Sequence, residues 1–86
     1  MLELTVYSRR GCHLCEIMLE ELVPLCLGRA TISVLDVDSR DDWRQAYGHR
    51  VPVLCSGERE VSVAHLDRDA LLALFPTSHS GPWRAA

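Results

Sequence analysis

The chain has 86 residues, 48% hydrophobic and 24% charged, with a formal net charge of −3. That composition describes one ordinary globular domain, and it excludes a nucleic-acid binder, because Arg9-Arg10 is the only adjacent basic pair and no basic face can neutralise phosphates. No apolar run approaches the roughly 20 residues that cross a bilayer, so no membrane partner is expected.

The start carries no basic segment followed by an apolar core, so no secretory leader is visible and a cytoplasmic, reducing compartment is the expectation. There the four cysteines read as catalytic, metal-binding or core thiols rather than a static disulfide framework. Neither an internal repeat nor a low-complexity linker interrupts the chain.

Leu2-Glu3-Leu4-Thr5-Val6-Tyr7 alternates and is rich in strand formers, which predicts a first strand. A helix is predicted from Leu14 toward Leu27, with Leu14, Ile17, Met18, Leu22 and Leu25 as its apolar stripe and Glu16, Glu20 and Glu21 on its wet side. Pro24 lacks a donor and crowds the carbonyl four residues back, so a kink or an end near Leu22 is expected. Gly28 is a natural stop.

Thr31 to Val37 reads as a second strand. Ser39 with Asp42 resembles a capping box for a short helix whose apolar side is Trp43, Ala46 and Tyr47, closed by Gly48. Val51 to Cys55 reads as a third strand, with Pro52 near its start. Ser56-Gly57 then turns the chain into Glu58 to Ala64, so strands three and four should pair as a hairpin. Asp67 caps a last helix carrying Leu71, Leu72, Leu74 and Phe75, ended by Pro76. The order is β-α-β-α-β-β-α in one α/β domain, residues 1–76, with a loose tail over 77–86. The helix between the first two strands implies a parallel, right-handed crossover.

The segment that carries chemistry is Gly11-Cys12-His13-Leu14-Cys15, at the junction of first strand and first helix. Cys12 falls at the helix N-terminus, where unpaired N–H groups and the positive end of the macrodipole favour an anion. A cysteine offers a thiolate, the form that attacks disulfides. Arg9, Arg10 or His13 would add positive charge beside it. Cys15, one turn on, lies within reach of the same site. The plain alternative is two buried thiols without a redox role.

Zinc wants two ligand pairs, whereas Cys26 and Cys55 are isolated and His49, His65 and His79 form no spaced pair. Cys26 and Cys55 read as core thiols. Tyr7 is expected in the core with an edge toward the dithiol, Arg50 exposed and solvated, Trp43 in packing and Trp83 in the tail.

From Leu2 to Phe75 the chain resembles the glutaredoxin branch of the thioredoxin superfamily. Val6-Tyr7-Ser8 before Cys12-His13-Leu14-Cys15 is similar to that family's strand exit and redox motif, and Val51-Pro52-Val53 to its cis-proline loop. Within that branch it resembles the short bacterial Cys-His-Leu-Cys type. The resemblance implies a thioredoxin-like fold of four mixed strands flanked by helices, with Pro52 in cis beside the dithiol. It also implies thiol–disulfide exchange by Cys12 and Cys15 through a reversible disulfide, on protein disulfides or glutathione mixed disulfides.

Tyr7, Arg10, His13, Val51, Pro52 and Asp67 are the residues expected to meet substrate. No tightly bound cofactor and no metal are expected; glutathione or a thiol reductase would restore the dithiol, and a monomer would suffice. The chain departs from the family in His13, where proline is usual. It departs again in Val63-Ala64-His65-Leu66-Asp67, where a glycine pair usually precedes the acid. A thioredoxin-fold binding module without turnover and an iron–sulfur or metal carrier are the alternative readings.

Overall fold

A computed structural model describes residues 2–75. Its elements are β1 (Leu2–Ser8), α1 (His13–Cys26), β2 (Ala30–Asp36), α2 (Asp41–Tyr47), β3 (Val53–Ser56), β4 (Arg59–Val63) and α3 (Arg68–Leu72), with a 3-10 turn at Val37–Ser39 before α2. The four strands form one sheet in the order β2-β1-β3-β4. β1 and β2 run parallel in unbroken register from Leu2↔Ala30 to Ser8↔Asp36. That pairing requires the crossover that α1 supplies. β3 lies antiparallel to β1 and β4 to β3, with a register shift between Leu54 and Cys55. The expected order and the mixed α/β sheet are therefore present. Among the described residues no helix is long and apolar enough to cross a membrane.

Alternation along β1 divides the packing into two layers. Leu4 and Val6 face a cluster made with Met18, Leu22 and Cys26 of α1, Leu54 of β3, and Leu71 and Phe75. Tyr7 faces the other way, stacked on Tyr47 at 4.0 Å between ring centroids and edge-on to Trp43 at 5.7 Å. The sheet thus has an apolar face under α1 and α3, and an aromatic face under α2.

Several local expectations are corrected. The buried stripe of α1 is Cys15, Met18, Leu22 and Cys26, whereas Leu14 is 37% exposed. Two cysteines behave as small apolar residues at helical spacing and turn the stripe away from Leu14. The helix does not end near Leu22 but runs through Pro24 to Cys26. Pro24 is exposed, and so is Glu20, the residue whose carbonyl loses its donor to the ring.

Ser39 is not the cap of α2. Arg40 holds that position without a side-chain cap, while the Ser39 hydroxyl donates to the Asp36 carbonyl at 2.6 Å. The chain bends earlier than expected because buried Val37 draws it into the 3-10 turn, which Asp36 caps by accepting from the Asp38 N–H. Ala46 is exposed, so the inward side of α2 is Trp43 and Tyr47 alone. The third strand begins at Val53 rather than Val51. α3 already ends at Leu72, with Ala73 as its C-cap. Pro76, Trp83 and the expected tail over 77–86 lie outside the described residues.

Candidate functional site

Arg9 to Cys12 forms a β-turn, closed by the Cys12 N–H donating to the Arg9 carbonyl at 3.2 Å. Gly11 occupies its third position with φ +77°, the conformation that a type II turn reserves for glycine. The turn delivers Cys12, in extended conformation, to the N-cap of α1. There its Sγ accepts the Cys15 N–H at 3.2 Å. A cysteine thus does the work usually given to serine or aspartate, and its sulfur sits among the free N–H groups of the first turn. Cys12 is partly exposed and Cys15 buried.

Burial, followed by the hydrogen bond to Cys12 and its negative charge, pushes the Cys15 thiol up to about 11. The backbone N–H and guanidinium of Arg9 act in the opposite direction. The pair is therefore asymmetric: Cys12 is partly exposed, whereas Cys15 is buried and holds its proton more tightly.

Arg9 braces the turn. Its guanidinium donates to both carboxylate oxygens of Asp38, at 2.9 and 3.0 Å, and to the Gly48 carbonyl at 3.0 Å. Arg44 joins the same carboxylate at 3.3 Å and binds Asp41 at 2.9 Å. Arg9 holds the Asp38 carboxyl below the usual carboxylate range. The brace links the dithiol turn to both ends of α2. Only the nearness of Arg9 to Cys12 was legible in sequence; a partner 29 residues away leaves no local signal.

The Val51-Pro52 bond is cis. Tyr7 pairs with Val53, so the next antiparallel step sets Pro52 against Ser8, at the sheet end from which the dithiol turn departs. Pro52 is buried and Val51 partly so. The Pro52 carbonyl accepts the Ala64 N–H at 2.8 Å, which ties the segment before α3 to the same end. Ala64 has φ +69°. It stands in the stretch where the resemblance leads one to expect a glycine pair, so the left-handed backbone is kept without the glycine.

The other sequence-derived residues scatter around this centre. His13 is 84% exposed, with Nδ1 3.9 Å from Glu16. Arg10 is exposed in the turn. Tyr7 belongs to the aromatic layer under α2. Asp67 spends one carboxylate oxygen on the Ala70 N–H at 3.0 Å, as the N-cap of α3. Arg50, expected to be solvated, pairs with both oxygens of Glu60 at 2.7 and 2.9 Å and donates to the Ala46 carbonyl.

A groove of about 460 Å³ separates α1 from the segment before α3, with Ile17, Met18 and Glu21 on one wall and residues 64–69 on the other. Cys26 and Cys55 are buried, and burial pushes both thiols up. Among the described residues no three His, Cys, Asp or Glu side chains converge as a metal site would require.

Residues 3–75 match the family described as Glutaredoxin-like domain (DUF836). No curated protein matches the chain. Among solved structures, the solution NMR structure of protein Ne2328 from Nitrosomonas europaea is similar, at 33% identity and a TM-score of 0.76, over 87% of this chain and 92% of that one.

Proposed function

The chain belongs to the Glutaredoxin-like domain (DUF836) family, and from that premise we propose that it is a thiol–disulfide oxidoreductase acting through Cys12 and Cys15. The observation that carries the reading is the capping geometry: the Cys12 sulfur accepts the Cys15 N–H at the start of a 14-residue helix, one turn from a buried second thiol.

Cys12 as thiolate attacks one sulfur of a substrate disulfide. A mixed disulfide forms, and the other substrate sulfur leaves as a thiolate that water protonates. Cys12 is then uncharged, so one cause of the raised Cys15 affinity for its proton disappears, while Arg9 still favours the anion. Cys15 loses its proton and attacks the Cys12 sulfur, which releases the second substrate thiol and leaves a Cys12–Cys15 disulfide. Two electrons have passed to the substrate. Two external thiols of the glutathione class then supply two electrons to the Cys12–Cys15 disulfide and leave joined in a disulfide of their own. Burial of Cys15 keeps it from competing for substrate in the first step, and its position one helical turn from Cys12 leaves it within reach for the second.

The test uses reduced protein with insulin or a glutathione mixed disulfide, followed by thiol release. Cys12→Ser should lose activity, and Cys15→Ser should accumulate a mixed disulfide on Cys12 visible by mass. Full activity in Cys12→Ser overturns the reading. Iron or zinc in stoichiometric amount with the purified protein would favour a carrier instead.

A further inference from the structure

The groove between α1 and residues 64–69 has a built-in direction and a sign of charge. Along α1, Leu14, Ile17 and Glu21 succeed one another at spacings of three and four, so they form one row leading away from Cys12. Leu14 is 37% exposed and Glu21 half-buried at the far end. The opposite wall starts at Ala64, tied to the Pro52 carbonyl, and continues through Leu66 to Asp67 and Asp69. Along the direction of the chain, the row on α1 and the opposite wall both pass from apolar residues, Ile17 and Ala64, to carboxylates, Glu21, Asp67 and Asp69. Beside the imidazole of His65, that lining sets Glu21, Asp67 and Asp69 against a single guanidinium, Arg68. Among the described residues none of these four makes an ion pair.

We propose that this groove seats the chain flanking the reactive cysteine of a protein substrate, and selects flanks with a lysine or arginine near that cysteine. The assignment rests on the exchange reading above and names its substrate class. From Cys12 to Glu21 the helix rises about 13 Å. An extended peptide covers that distance in about four residues, and a long basic side chain shortens the requirement to two or three. The stem of such a side chain lies over Leu14 and Ile17 while its charge reaches the carboxylates. A flank carrying carboxylates meets the same acids and is repelled.

The experiment uses Cys15→Ser, which stops after the first exchange. The probes are peptides Ala-Cys-Ala-Ala-X-Ala, with the cysteine held in a mixed disulfide to thionitrobenzoate and X as Lys, Gln or Glu. The Cys12 thiolate takes the peptide sulfur, and thionitrobenzoate leaves as the coloured anion. At low salt the Lys peptide should react about ten times faster than the Glu peptide, and the Gln peptide should fall between, as expected for charge steering. The ratio should shrink to below about twofold at 0.5 M salt and in Glu21→Gln/Asp69→Asn.

Equal rates for the three peptides overturn the groove assignment and leave exchange standing. So does a ratio that survives the double substitution. A glutathione–thionitrobenzoate disulfide reacting faster than the Lys peptide assigns the groove to that tripeptide and likewise overturns the proposal. Colour release unchanged by adding Cys12→Ser overturns the exchange reading itself.

Discussion

The two faces of the sheet are closed by different physics. Under α1 and α3 the packing is aliphatic: Leu4, Met18, Leu22, Leu54 and Leu71 are each at most 1% exposed. Under α2, aromatic and ionic contacts are added to buried Val53 and Cys55, and α2 itself has no fully buried residue. Tyr7, Trp43 and Tyr47 stack there, with Arg40 over Trp43 and Arg50 over Tyr47. The first face holds the fold together, and the second sets the position of the turn that carries Cys12. Stability and reactivity should therefore respond separately to substitution.

Leu22→Ala, on the aliphatic face, should cost about 3 kcal/mol in urea unfolding, because it removes buried methyl groups and leaves a cavity. A loss no larger than that of an aromatic-face substitution would erase the distinction. Alkali should probe the same face. Cys15 has its affinity for a proton raised from 9.0 to about 11 on folding, so the native state binds more protons in that window. Stability is then full below pH 9 and falls as pH rises toward about 11, by on the order of 2 kcal/mol from this thiol. Unfolding in urea at several pH values should show the slope, and Cys15→Ser should make it shallower, leaving the part that buried Cys26 and Cys55 contribute.

Tyr47→Leu keeps apolar bulk but loses the stacking, and should cost about 1 kcal/mol. Ser62 is 8% exposed and its hydroxyl has no hydrogen-bond partner among the described residues. Ser62→Ala should therefore leave stability unchanged or raise it by up to about 1 kcal/mol. Arg9→Ala should move the melting temperature little, since its ion pair with Asp38 is solvent-accessible. It should nevertheless slow the second exchange step several-fold, measured as release of peptide from a preformed mixed disulfide. A large stability loss with unchanged exchange would reverse the roles assigned to the two faces.

How much of this was legible in the chain follows the range of each interaction. Element order, the parallel crossover, the hairpin and the cap at Asp67 rest on neighbours within a few residues, and the sequence displays them. The placement of a cysteine at a helix start is equally local. The rotation of the α1 stripe was hidden at Cys15, which reads as chemistry before it reads as an apolar residue, whereas Cys26 reads as a core thiol and is one. The end of α1 was misjudged because the cost of a proline depends on whether the orphaned carbonyl meets water. The Arg9–Asp38 brace and the Arg50–Glu60 pair are tertiary, and no pattern announces them. The groove needs two walls from opposite ends of the chain, so its charge became readable only once α1 and the segment before α3 were side by side.

Ala64 supplies a last consequence. Its main chain bends in the mirror sense, which an L-residue adopts at a cost of about 1 kcal/mol. Its N–H and the next one, donating to Pro52 and Val63 at 2.8 and 2.7 Å, keep it there. Ala64 lines the groove, so its methyl group adds apolar surface there that glycine would lack. A chemically synthesised chain with D-alanine at this position would keep the bend, relieve the strain and aim the methyl elsewhere.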